Sequence, residues 1–129
     1  MNYEVVEEIA KRYNSIKAVA AVELGMRGME YVSIIAEALE NKVNILPFVE
    51  GFSSAQLSQI MYGLINNVDV SIYAEKHFNE DKMREIRLGL ESGVDVSLYA
   101  KKRFGHKQMQ SIRIDLQQGK PIGDIFYLN

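Results

Sequence analysis

Apolar residues recur along this chain at helical spacing, and one such stretch sets out a complete unit. Met83, Ile86 and Leu90 fall at i, i+3 and i+7, one face of an α-helix. Asn79 is a predicted N-cap, with Glu80 and Asp81 in the first turn, where the helix dipole favours negative charge. Gly93 stands where a left-handed residue ends a helix. In residues 94–100 the alternation Val-Asp-Val-Ser can be read as a short strand. Leu98-Tyr99-Ala100 continues in a helix-tolerant run, however, and a strand would lack partners. The pattern therefore favours a turn in which Asp95 caps a short helix of one or two turns ending near Ala100.

The same pattern returns at a fixed period. Residues 52–77, 78–103 and 104–129 align without a gap as units of 26, and the first two share 11 identities. Among them are Phe52/Phe78, Ile60/Ile86, Gly63/Gly89, Asp69/Asp95 and Tyr73/Tyr99. The repeated tyrosines are expected to pack between units with the hydroxyl at the edge. The third unit keeps Phe104, Met109, Ile112, Arg113, Leu116 and Gly119 before diverging into an apolar tail, as terminal repeats do when they become caps. Ser53 with Gln56 has the capping-box spacing, and Asn67 and Gly119 match Gly93. A degenerate copy lies upstream at an offset of 25, from Val32 to Ile45, with an altered loop Leu46-Pro47-Phe48.

Residues 1–51 read as two longer helices. The first spans 3–24, with Val5, Ile9, Tyr13, Ile16 and Leu24 on one stripe and Gly25 at its end. The second spans 29–40, with Val32, Ile35, Ala36 and Leu39 on one face. Gly25-Met26-Arg27-Gly28 between them reads as a helix–helix turn. The expected fold is all-α: a short solenoid-like array of helix–turn–short-helix repeats behind two longer N-terminal helices, in one continuous domain over 1–129.

Composition narrows the function classes. The 129 residues are 47% hydrophobic and 25% charged, enough for one core without staples. Fifteen basic against seventeen acidic residues give a net charge of −2, which excludes a wholesale polyanion binder. The absence of cysteine removes disulfides, thiolate metal sites and a cysteine nucleophile, and favours a cytoplasmic setting. The acidic N-terminus carries no targeting signature, and the longest uncharged run is too polar for a membrane span, so no membrane partner is expected.

Candidate chemistry is sparse. No phosphate loop, His-Glu-x-x-His or nucleophile elbow occurs, so no catalytic, cofactor-binding or metal-ligating residue and no cofactor is expected. His77 and His106 occupy different repeat positions and read as surface residues beside loops, and Glu37 with Glu40 reads as a solvated face. Repetition of Asp69 and Asp95 argues for unit geometry, since an active site needs unlike groups converging. Cations cluster in the C-terminal half: Arg84, Arg87, Lys101, Lys102, Arg103, Lys107 and Arg113 form a candidate partner-binding patch, with Arg87 and Arg113 at one repeat position. Intrahelical pairing, such as Glu80 with Arg84, is the plainer account of the same residues. Tyr62, Leu88 and Ile114 also share a position, off the core stripe, where neighbouring short helices would cover them. The tail from Ile122 to Leu128 either folds back as a cap or offers area to a second copy, making a homodimer an option.

The run Met83-x-x-Ile86-Arg87-Leu88-Gly89-Leu90-Glu91-Ser92-Gly93-Val94-Asp95-Val96-Ser97-x-Tyr99-Ala100 resembles short helical repeats in proteins of Gram-positive bacteria, their phages and integrative elements. The resemblance covers 52 to about 118 and implies an all-α array carried by mobile DNA. Small acidic proteins of such elements include inhibitors of host defence, for instance anti-CRISPR proteins, which occlude a nuclease surface. By that analogy the expected function is a non-enzymatic protein–protein interaction module, with a nuclease or nucleoprotein complex as its partner class. The alternative is a nucleic-acid-binding accessory protein that uses the basic patch.

Overall fold

The computed structural model describes the backbone from Gly25 to Asn129 and the side chains from Tyr31 onward. The expected helix over 3–24 lies outside the described residues. Those described are all-helical, with α-helices and short 3-10 turns and no strand. The α-helices are α1 (Gly25–Glu40), α2 (Ser54–Ile65), α3 (Glu80–Ser92) and α4 (His106–Gln117). Single-turn 3-10 helices follow each of them, at Leu46–Phe48, Val70–Ile72, Val96–Leu98 and Ile122–Asp124, and a last one covers Phe126–Leu128.

Local rules explain most boundaries. The Asn79 side chain accepts from the Lys82 amide at 2.9 Å, capping α3. Ser53 and Gln56 close a capping box ahead of α2, the Gln56 amide donating to Ser53 Oγ at 3.2 Å and the Ser53 amide to Gln56 Oε1 at 3.0 Å. Asp69 and Asp95 each cap a 3-10 turn, with backbone angles of −76°, 92° and −76°, 90° and bonds of 3.1 Å to the amides of Ser71 and Ser97. The segment 94–100 is therefore a capped turn and not a strand. Positive φ occurs at Lys42, Asn67, Gly93 and Gly119, one or two residues past each helix and equivalent in the repeat alignment. Only at Gly93 and Gly119 is the residue one that adopts this conformation freely.

Three expectations need correction. Gly25 to Gly28 lies inside α1 and is not a turn. Arg84 pairs with Asp81 at 3.6 Å rather than with Glu80. The Tyr99 hydroxyl is not at an edge, since the residue is fully buried and donates to the Glu85 carbonyl at 2.7 Å.

The chain divides into two compact units, Met1–Ile65 and Asn66–Asn129. In the first, α1 packs on α2 and buries Val32, Ile34, Ile35 and Ala38 with Leu57, Ile60 and Met61. Tyr31 ties the two ends together, its hydroxyl donating to the Phe52 carbonyl at 2.9 Å. In the second, α3 packs on α4 around Met83, Ile86, Met109 and Ile112, with Phe78, Tyr99, Phe104 and Ile125 closing the core. The tail folds back: Ile125 is fully buried and Phe126–Leu128 rests on α4.

One contact explains a repeated glycine. A Cβ at Gly89 would lie 2.0 Å from Tyr99 Oη and 2.7 Å from Val96 Cγ1, so only glycine lets the 3-10 turn and its tyrosine lie this close to α3. Burial then raises the Tyr99 pKa well above the ordinary tyrosine value, a shift the Arg113 charge opposes and Glu85 reinforces.

Candidate interaction surface

Two of the seven candidate cations are held by carboxylates in the second unit, Arg113 across the α3–α4 seam and Arg87 within α3. Arg113 donates through Nε to Glu85 Oε2 at 2.8 Å, with side chains only 11% and 7% exposed. Arg87 donates to Glu91 Oε1 at 2.7 Å, with 13% of its side chain exposed. The bonds continue as a chain: Arg113 to Gln117 at 3.1 Å, Gln117 to Ser92 Oγ at 3.0 Å, and Ser92 Oγ to the Gly89 carbonyl at 3.1 Å. Asn66 donates to Glu91 Oε1 at 2.6 Å. Asn66 and Ser92 are equivalent in the repeat, as are Glu91 and Gln117, so one contact is made twice, 26 residues apart. The buried Glu85 carboxylate needs the Arg113 guanidinium, because an unpaired charge in the interior is costly.

The other cations face solvent. Lys101, Lys102 and Arg103 are exposed on the turn after the third 3-10 helix, and Lys107 is exposed in the first turn of α4. The Arg103 guanidinium lies 4.4 Å from the centre of the Phe104 ring, whose other side is buried. Lys82 reaches the same place from α3, donating to the Lys102 carbonyl at 3.3 Å. Arg84 is 46% exposed beside Asp81. The sequence patch is thus separated into an exposed basic turn and two arginines held by carboxylates.

Apolar side chains reach the surface as well. Tyr62 and Ile114 are each 38% exposed, and their repeat partner Leu88 is half-buried, so the expected cover is incomplete. In the tail, Phe126 is 79% exposed and Ile122 55%. A shallow groove of about 380 Å³ in the first unit is lined by Ser33, Ile34, Ser54, Ala55 and Ser58, none of which titrates near neutral pH.

Glu37, Glu40, His77 and His106 are all exposed, as expected, and His77 lies 3.2 Å from Glu75. Among the described residues no three His, Cys, Asp or Glu side chains converge to hold a metal ion, and no helix is long and apolar enough to cross a membrane. A scan against protein-family models and searches of the curated proteins and of the solved structures find no match to this chain. The chemistry on the page must therefore carry the functional reading.

Sequence reasoning missed the Arg113–Glu85 pair, whose partners stand 28 residues apart. A signal was present: position 85 is acidic in a unit whose neighbour carries arginine on the facing stripe. It also missed the Gly89–Tyr99 fit. There the signal was joint loss, since the unit that replaces glycine by Asp115 also replaces tyrosine by Ile125.

Proposed function

We propose that this chain is a non-enzymatic helical-repeat module that binds another protein through the outer face of successive repeat helices. In this reading the 26-residue units form a short solenoid-like array, each leaning on the next through the same side-chain positions. The recurring Asn66–Glu91 and Ser92–Gln117 contacts support it, because the same two repeat positions meet twice, 26 residues apart. The observation that carries the binding claim is Ile114, 38% exposed on α4 at the repeat position of Leu88 on the adjoining α3. Apolar positions left part-open at the same place on two packed helices, Leu88 and Ile114, rather than one exposed side chain, are what a protein-binding surface offers. Arg87 and Arg113 contribute rigidity to that face and not free charge, which favours a protein over a phosphate backbone as its partner there.

Affinity capture from the native host, with the wild-type chain and Ile114→Glu side by side, tests the proposal. A partner retained by the wild type and lost by the variant, with unchanged thermal melting, is the expected outcome. Equal recovery by both would remove Ile114 from the interface, and no stable partner under folding conditions would refute the module itself.

A further inference from the structure

The start of α4 departs from the start of α3 in a way that works against the helix. At the positions of Glu80 and Asp81, α4 carries His106 and Lys107, and in place of the Asn79 cap it has Gly105, which makes no side-chain cap. Acidic side chains in a first turn are stabilising and basic ones are not, and losing an Asx cap costs a few tenths of a kcal/mol to glycine. The preceding turn changes sign as well, Glu75 giving way to Lys101. From Val96 to Ile114 the chain holds five Lys and Arg and no carboxylate, whereas the equivalent stretch from Val70 to Leu88 holds four of each. One repeat has thus lost the charges its own helix prefers, in a chain whose net charge is −2. Local rules broken without a gain in stability point to a functional site.

We infer that the exposed turn 101–103 and the first turn of α4 form a docking surface for duplex DNA, engaged through its phosphates. Lys101, Lys102, Arg103 and Lys107 are the four contacting cations, and His106 stands beside Lys107, all exposed. Arg87 and Arg113 take no part, since Glu91 and Glu85 hold them. A duplex fits better than a single strand because, among the described residues, the phenyl and phenol rings beside the patch are covered: Tyr99 is fully buried and Phe104 is 5% exposed. Gln108, in the same turn, is engaged through Oε1 by the Gly105 amide at 2.9 Å, so the patch offers the phosphates chiefly its Lys and Arg side chains. Binding is therefore phosphate-led and salt-sensitive, at the N-terminal end of the α4 stripe on which Lys107 and Ile114 stand at i and i+7.

Fluorescence anisotropy of a labelled DNA duplex with the full chain tests this. Four phosphate contacts give a log–log salt slope of roughly −3.6, so affinity falls about 100-fold between about 50 and 200 mM salt. Lys101→Glu/Lys102→Glu/Arg103→Glu abolishes binding. His106→Glu/Lys107→Asp restores the first turn of α3 and gives two opposite results, a Tm a few degrees higher and a DNA affinity at least roughly 10-fold lower. Opposite signs separate a binding role from a folding defect. No binding at about 50 mM salt, a slope near zero, or unchanged affinity in both variants would overturn the inference. So would tighter binding of single-stranded DNA, or equal displacement by polyglutamate of matched charge.

Discussion

Gly89→Ala turns the closest approach in the second unit into a quantitative test. Alanine in a helix interior ordinarily gains up to about 1 kcal/mol over glycine. Here the added methyl meets Tyr99 Oη at 2.0 Å and Val96 Cγ1 at 2.7 Å, so the 3-10 turn must move away from α3. Overpacking of this kind costs about 1–3 kcal/mol. Displacing the phenol also breaks its 2.7 Å bond to the Glu85 carbonyl and leaves buried polar groups unpaired, another 1–3 kcal/mol or so. The net expectation is a loss of about 2–4 kcal/mol, which for a chain of this size lowers Tm by roughly 8–15 °C. The cause can be isolated by repeating the substitution on Tyr99→Phe. Without the hydroxyl the nearest ring atom is Cζ at 3.2 Å, so the methyl should cost at least about 1 kcal/mol less. Urea melts of the four chains by far-UV circular dichroism measure this coupling. A Gly89→Ala chain as stable as wild type, or the same cost in both backgrounds, would refute the close-fit argument.

Other outcomes follow from the same geometry. Asn67→Gly should raise stability by up to about 1 kcal/mol, because its φ of 60° is one glycine adopts freely, and a thermal melt that falls instead would contradict the assigned conformation. Arg113→Met strands the Glu85 carboxylate at 7% side-chain exposure and should cost about 3–5 kcal/mol, whereas Arg84→Met, half-exposed beside Asp81, should cost under about 1; denaturant midpoints compare them. At high pH the unfolded chain releases the Tyr99 proton near about pH 10 while the folded chain holds it, so stability falls as pH rises, by up to about 1.4 kcal/mol per unit. Tyr99→Phe should lose that part of the slope, and an unchanged slope would contradict the burial of the phenol.

How much the sequence revealed depended on the range of each interaction. Caps were legible because an Asx or Ser side chain bonds an amide two or three residues on: Asn79, Ser53 with Gln56, and Asp95 sit where local chemistry puts them. Gly93 was legible because a left-handed residue is easiest as glycine, and Lys42 was not, since lysine carries no such mark and only repeat register leads to it. The glycines at 25 and 28 misled for the converse reason: a weak helix preference is only a prior, and both lie within α1. The surface was read less well than the fold. Spacing put Arg87 and Arg113 on one stripe, but whether a cation is free or held depends on carboxylates from other parts of the chain. Glu85, 28 residues before Arg113, decides that case.

Removing one unit whole tests the central claim, that 26 residues are the module and that modules lean on one another through shared positions. Deletion of 78–103 brings Phe104 to the place of Phe78 and leaves Gln117 to meet Asn66 where Glu91 stood. The shortened chain should remain helical and melt cooperatively, while deletion of residues 78–90, half a unit, should destroy the melt. If the whole-unit deletion collapses as completely as the half-unit one, the modular account is wrong.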